Sequence, residues 1–399
     1  MSSEWKEYRL EEIAMPKRGI IDGPFGSNLP ASDYRDSGIP VIRGGNLSLY
    51  GRRFQDNGFI YVSETTAKRL ERSLCYPGDI IFTKKGTLGQ IGLIPENARH
   101  SKYLLSSNQM KLTVNEKIAD NKFVYLLLSA KEQIEKIQRE SEYTGVPKIN
   151  LSYLKNFSIS LPPLPTQRRI AAILTALDDK IELNRRMNDT LEGIAQALWG
   201  EWFGRYASGE EELPEGWRWG KLGEEFNVIM GQSPPGESYN HNGNGMVFFQ
   251  GKTDFGFRFP EIRLFTTEPK RLAKKFNTLL SVRAPVGAVN IAFENCCLGR
   301  GLAAIYHKNE FKSYTYYTLK SLKKIFDVFE GEGTVFGSIN QENLKNINVI
   351  VPDIMTLEEF EEITRPLDDQ IFNLETQSRT LKTLRDVLLP RLMRGEVMF

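Results

Sequence analysis

The sequence predicts an α+β chain built from one plan used twice. Two α/β domains are each followed by a long coiled-coil helix, in a pseudo-twofold internal repeat. Three observations predict it. Ile170, Leu174, Leu177, Ile181, Asn184, Asn188, Leu191, Ala195 and Leu198 fall at alternating steps of four and three, and no Pro or Gly occurs from Thr166 until Gly193. That spacing is the seam of a coiled coil, with two Asn near its middle. The seam returns 190 residues on (360 − 170), as Phe360, Thr364, Leu367, Ile371, Leu374, Ser378, Leu381, Arg385 and Leu388. Finally, identity at this offset extends beyond the seam. Ile149-Asn150 and Leu154-Lys155-Asn156 match Ile339-Asn340 and Leu344-Lys345-Asn346; Leu177-Asp178-Asp179 matches Leu367-Asp368-Asp369. An ungapped match of this length marks a duplication.

The first domain spans 1–164. It opens with Trp5 to Leu10, then a turn-forming stretch, Gly23-Pro24-Phe25-Gly26-Ser27-Asn28. Apolar runs separated by Gly, Pro and Asn predict short strands at 39–42, 59–62, 80–83, 91–94 and 110–114, which is the pattern of a small, irregular sheet. One helix is predicted over 119–139, a polar loop over 140–148 and a closing strand over 157–161. The first long helix takes 165–206.

The second domain, 207–354, starts with a charged link, and Gly216 to Leu222 echoes the opening of the first. Strands are predicted at 247–250, 278–282, 289–293, 302–306 and 348–351, with a helix over 311–328 and a Gly-rich loop over 331–334. The second long helix takes 355–399. The globular halves have diverged far more than the helices, so two readers of different things on one scaffold are expected.

Composition excludes several classes. The chain of 399 residues carries a net charge of only +2, so a nucleic-acid partner has to be met by local basic patches. The charged N-terminus has no apolar segment of a secretory signal, and no apolar run approaches the ~18 residues of a membrane span. A cytoplasmic protein with no membrane partner is expected. Cys75, Cys296 and Cys297 form no CxxC, and His100, His241 and His307 lack metal-ligand spacing, so no metal site is expected.

Gly245 to Thr253 imitates a phosphate-binding loop but places five residues before Gly251-Lys252 where four are required. Lys84-Lys85-Gly86-Thr87-Leu88-Gly89 contains a GxxG; it reads either as a nucleotide-backbone clamp or as a hairpin turn with solvated lysines. The candidate DNA contacts are Arg43, Asn46, Lys84, Lys85, Asn108, Gln109, Tyr143 and Lys148 in the first domain. In the second they are Gln250, Lys252, Arg283, Arg300, Ser338 and Asn340. These side chains are of the types that hold phosphates and read base edges. No catalytic constellation is present: there is no methyltransferase signature, nuclease carboxylate cluster or GxSxG elbow.

Leu161-Pro162-Pro163-Leu164-Pro165-Thr166-Gln167-Arg168-Arg169-Ile170, with Leu177-Asp178-Asp179-Lys180-Ile181 beyond it, resembles the strand, link and central conserved helix of the specificity (S) subunits of Type I restriction–modification enzymes. Pro352 to Met393 resembles the family's second conserved helix, and Leu388 to Glu396 its usual ending. One departure is Met355-Thr356-Leu357-Glu358 in place of Pro165-Thr166-Gln167-Arg168. The resemblance covers essentially the whole chain. It implies two target-recognition domains, separated by an antiparallel coiled coil of the long helices, each reading one half of a split site in double-stranded DNA. It also implies two methyltransferase (M) subunits and restriction (R) subunits as partners, with S-adenosylmethionine, Mg and ATP on those partners and no cofactor on this chain. Two alternatives stand beside it: a coiled-coil protein-interaction scaffold, or an orphan specificity subunit of a methylation-only or other phage-defence system.

Overall fold

The computed structural model describes residues 5–49, 54–144, 146–207, 209, 211–331 and 337–396. The chain forms two compact units, Met1–Glu182 with Ser378–Phe399, and Leu183–Gln377. Both long helices are therefore shared between units, and each unit combines one globular domain with half of each helix.

The first unit carries a four-stranded antiparallel sheet in the order Ile20–Asp22, Gln109–Leu112, Ile80–Thr83, Ile91–Leu93. A five-stranded sheet runs Tyr34–Arg35, Ile60–Val62, Ile39–Ile42, Tyr103–Leu105, Leu74–Cys75, its third and fourth strands parallel. Lys6–Arg9 pairs with Ser158–Leu161. The second unit repeats this strand order. Phe226–Met230, Leu302–His307, Thr278–Ser281 and Val289–Ile291 form the four-stranded sheet. Tyr239–Asn240, Phe265–Thr266, Met246–Phe249, Cys296–Leu298 and Leu272–Ala273 form the five-stranded one, and Arg218–Lys221 pairs with Asn348–Val351. The runs at 39–42, 80–83 and 348–351 become strands over the predicted residues: the first two are buried throughout, and the third buries Val349 and Ile350 at its centre.

The helix predicted over 119–139 is two helices, Asn121–Leu128 and Lys131–Arg139. Ala130 between them is extended (ψ 145°), and the Ser129 hydroxyl turns back to donate to the Leu126 carbonyl at 3.3 Å. The first piece is buried from Phe123 to Leu128, whereas the second buries only Ile134 and Ile137. The region 311–328 divides likewise into Lys312–Ser321 and Lys323–Gly331. The loop predicted over 140–148 is a hairpin of Glu142–Thr144 and Val146–Lys148. Residues 332–334 of the predicted Gly-rich loop lie outside the described residues.

The long helices are Leu164–Trp199 and Ile354–Met393. Every predicted seam residue, from Ile170 to Leu198 and from Phe360 to Leu388, is buried or half-buried. Within the first unit, Ile170, Ala171 and Leu174 share a core with Leu388, Leu389, Leu392 and Met393. Within the second, Leu191, Ala195 and Trp199 share one with Leu357, Phe360 and Ile371. The start of one helix meeting the end of the other makes the pairing antiparallel in each unit. Asn184 donates to Gln377 Oε1 (2.9 Å) and the Leu374 carbonyl (3.3 Å), a polar layer that favours one register.

Asn150 and Asn340, identical in the repeat, cap two short helices that the sequence pattern did not announce, Leu151–Asn156 and Gln341–Lys345. Each carboxamide oxygen accepts the amide of Tyr153 or Asn343 at 2.8 Å.

Candidate nucleic-acid interface

The same main-chain hydrogen bonds gather the strand ends and loops in both units. In the first, Ser106 N donates to Ile42 O (3.1 Å), Lys84 N to Asn108 O (2.8 Å), Ile149 N to Lys84 O (2.9 Å) and Gly23 N to Gln109 O (2.9 Å). In the second, Gly299 N donates to Phe249 O (2.8 Å), Val282 N to Gly301 O (2.9 Å), Ile339 N to Val282 O (3.0 Å) and Gly231 N to Leu302 O (2.9 Å). One backbone frame thus brings five separate segments to one end of each domain. At that end Lys85 bridges to Lys148 in one unit, and Arg283 bridges to Ser338 in the other. An exposed cation stands at the equivalent position of both frames.

The predicted contacts divide by exposure. Arg43, Lys85 and Asn108 in the first unit, and Gln250, Lys252, Arg283, Arg300 and Ser338 in the second, are exposed on these loops. Asn46 is 3% exposed and turned inward: its oxygen accepts the Arg43 amide at 2.9 Å, and its nitrogen donates to the carbonyls of Gln55 (3.0 Å) and Asn57 (2.9 Å). Gln109, 1% exposed, bonds the Ser106 hydroxyl, and its amide lies beside Ile42 O and Gly44 N. Lys84 is paired with Asp22 at 2.9 Å, and Asn340 is the helix cap described above. Asn46, Gln109 and Lys84 shape the surface, because their polar atoms are engaged within the chain, whereas Asn340, which caps its helix through its carboxamide oxygen, is itself exposed. Lys148 is half-buried. Tyr143 has its backbone in the hairpin, and its side chain lies outside the described residues.

Local sequence did not reveal Arg258. Its guanidinium, 1% exposed, donates to Glu192 on the first long helix (3.1 Å), to Asp368 on the second (2.6 Å) and to the Tyr317 hydroxyl (2.8 Å). It lies 4.3 Å from the centre of the Tyr316 ring. Tyr316 and Lys320 also bond Glu192, and Ser313 bonds Asp368. Burial opposes the charge of Arg258, but Asp368, the two tyrosines and Glu192 outweigh it and hold its pKa above the ordinary value. The second domain is thereby fastened to both helices. In the first unit Asp178, the repeat equivalent of Asp368, is bound instead by Arg385 of the other helix, at 2.9 Å. The signal available in the sequence was the repeated Leu-Asp-Asp; the donor was not readable.

The departure at the helix starts has a structural account. Gln167 is buried, accepts the Asp120 amide (2.9 Å) and donates to Pro162 O (2.8 Å), tying the helix to the first domain. Leu357 at the equivalent position enters the apolar core. That start is held by Asp353, which accepts from Thr356 N (3.0 Å) and Trp217 Nε1 (3.0 Å). A cavity of about 520 Å³ in the second unit is lined by Phe276, Lys312, Glu361, Arg365 and Phe372 among others. Among the described residues no group of three or more His, Cys, Asp or Glu is placed to hold a metal, and no helix is long and apolar enough to cross a membrane.

The family profile described as "Type I restriction modification DNA specificity domain" matches residues 2–193 and again 214–383. A putative Type I restriction enzyme MjaX specificity subunit of Methanocaldococcus jannaschii is 30% identical across 99% of this chain and 94% of its own. The Type I restriction enzyme HindI specificity subunit of Haemophilus influenzae is 23% identical over 99% of this chain and 100% of its own. The crystal structure of a Type I S subunit from M. genitalium shares the fold, with a TM-score of 0.61 at 18% identity over 98% of this chain and 96% of that one. Two matches of one profile fall on two copies of one backbone frame, and on that ground the chain belongs to the Type I restriction–modification specificity-subunit family, whose role is DNA recognition.

Proposed function

We propose that each domain reads one half of a bipartite, asymmetric DNA site, that the helices set the gap, and that they dock two methyltransferase subunits. The observation that carries this is the repeated frame with different exposed side chains. Arg43 and Lys85 stand where the second copy presents Gln250 and Arg283, and Asn108 stands where it has Gly301, next to the exposed Arg300. Shared backbone with unlike side chains suits two readings in one geometry.

Exposed apolar residues on the helices support the docking role. Leu183, Met187 and Ile194 lie on the first helix, and Leu384 and Val387 on the second. Ile194 and Leu384 are repeat equivalents (384 − 194 = 190), 46% and 45% exposed. Matched apolar sites suit two copies of one partner. In this reading the chain is non-catalytic and works in the cytoplasm. S-adenosylmethionine belongs to the methyltransferase subunits, and Mg and ATP to the partner assembly that includes restriction subunits.

The test is a methylome. The chain is co-expressed with its methyltransferase subunit in a methylation-free host and N6-methyladenine is mapped. One split motif with a fixed gap is the expected result. Removing a matched heptad from each helix shortens them by about 10 Å, and the gap by about three base pairs at 3.4 Å each, with both halves unchanged. A soluble complex without new methylation would favour the protein-scaffold reading.

A further inference from the structure

We infer that Phe25 contacts DNA, presenting an apolar face to a base in the half-site of the first domain; this rests on the reading proposed above. Phe25 is 78% exposed, the most exposed of the large hydrophobic side chains among the described residues. A single exposed apolar residue is ordinary on a protein surface, so its setting decides the matter.

The loop that carries the ring is braced from both sides. Gly23 packs so closely that a Cβ there would lie 2.0 Å from the Ser106 carbonyl oxygen, and its amide donates to Gln109 O at 2.9 Å. Downstream, Asn28 N donates to Phe25 O (2.8 Å), and Leu29, 5% exposed, anchors the end of the turn. The bracing segments are those of the frame. Ser106 bonds Ile42 next to Arg43, Asp22 pairs with Lys84, and Asn108 accepts the Lys84 amide. The aromatic ring is therefore held out on the same strand-end frame that carries Arg43, Lys85 and Asn108.

This mixture fits DNA better than a protein partner. Cations and amides serve phosphates and base edges, and an apolar side chain serves a thymine methyl group or a wedge at an unstacked step. The exposed residues that follow the ring are Gly26, Ser27 and Asn28, which extend no apolar patch for a protein to cover. In the second unit Gly231 repeats the bracing, 2.2 Å from the Gly299 carbonyl oxygen by the same measure, but Gln232-Ser233-Pro234-Pro235 follows it. The aromatic contact is thus specific to the first domain.

The experiment uses the complex with the methyltransferase and a synthetic duplex carrying the split motif found in the methylome. Phe25→Ala is expected to weaken duplex binding about tenfold, with the methyltransferase still co-purifying. Replacing each thymine of one half-site by uracil tests the methyl contact: one position weakens the native complex and leaves Phe25→Ala unmoved. A 2-aminopurine fluorescence rise that Phe25→Ala abolishes identifies a wedge. Unchanged affinity and methylation in Phe25→Ala overturn the inference, as does loss of the methyltransferase from the purified complex. If the native complex methylates no split motif, the underlying reading fails and Phe25 falls with it.

Discussion

Arg258, buried, and Asp368, half-buried, form an ion pair at 2.6 Å that joins a loop of the second domain to the second long helix, while Glu192 holds the same guanidinium from the first. The pair decides the seating of this domain on its helices. Its repeat counterpart, Asp178 with Arg385, joins helix to helix.

Replacing Arg258 by Met leaves the half-buried Asp368 without its cation and the buried Glu192 with Lys320 alone as ion-pair partner among the described residues. The expected loss is about 3–5 kcal/mol, read by chemical denaturation with hydrogen exchange assigned to each unit. Exchange in the first domain should stay as it was. Restoring Glu192→Gln and Asp368→Asn alongside should recover much of the loss; equal protection in Arg258→Met and the native chain would refute this role.

Glu361 gives the second unit a pH dependence. Burial, with a contribution from Asp368, pushes its carboxyl up to about 7, although the Tyr314 amide donates to it at 2.9 Å. Its pKa in the folded state is above the unfolded value, so the folded chain binds the extra proton and stability falls as pH rises from about 4.5 through 7. Glu361→Gln should flatten that slope and stabilise the protein at pH 8 by no more than about 3 kcal/mol. Denaturation midpoints at pH 5 and 8 give the comparison, and an unchanged slope would contradict it.

Exposed and buried candidates should fail differently. Arg43→Ala, Lys85→Ala, Arg283→Ala or Arg300→Ala should each weaken DNA binding; one that loses a phosphate contact should also reduce the slope of log affinity against log salt by about 1. Asn46→Ala instead removes the bonds to Arg43, Gln55 and Asn57, at a cost of about 1–3 kcal/mol in stability. Binding isotherms at several salt concentrations, set beside melting curves, separate the two classes.

The unlike helix starts predict a non-exchangeable pair. Gln167→Leu orphans the Asp120 amide and the Pro162 carbonyl, while Leu357→Gln puts an amide into an apolar core; each should cost about 1–3 kcal/mol. Thermal melts of the two variants are the measurement, and a neutral result for both would show that the starts are interchangeable.

The duplication, the seam and most of the four-stranded sheets in both domains were determined by the sequence alone. These signals are local periodicities or repeated spacings, and burial follows them directly: no seam residue from Ile170 to Leu388 is solvent-exposed. Tertiary structure decided which polar residues face outward. Asn46 and Arg43 have equally plausible chemistry for DNA, yet Asn46 is spent on Gln55 and Asn57 while Arg43 stays exposed. It also decided that Asp368 is met by Arg258, 110 residues earlier in the chain, and Asp178 by Arg385. Residue type specifies what a side chain is able to bond. Its partner is chosen by the loops and strands that the whole chain brings within 3 Å of it.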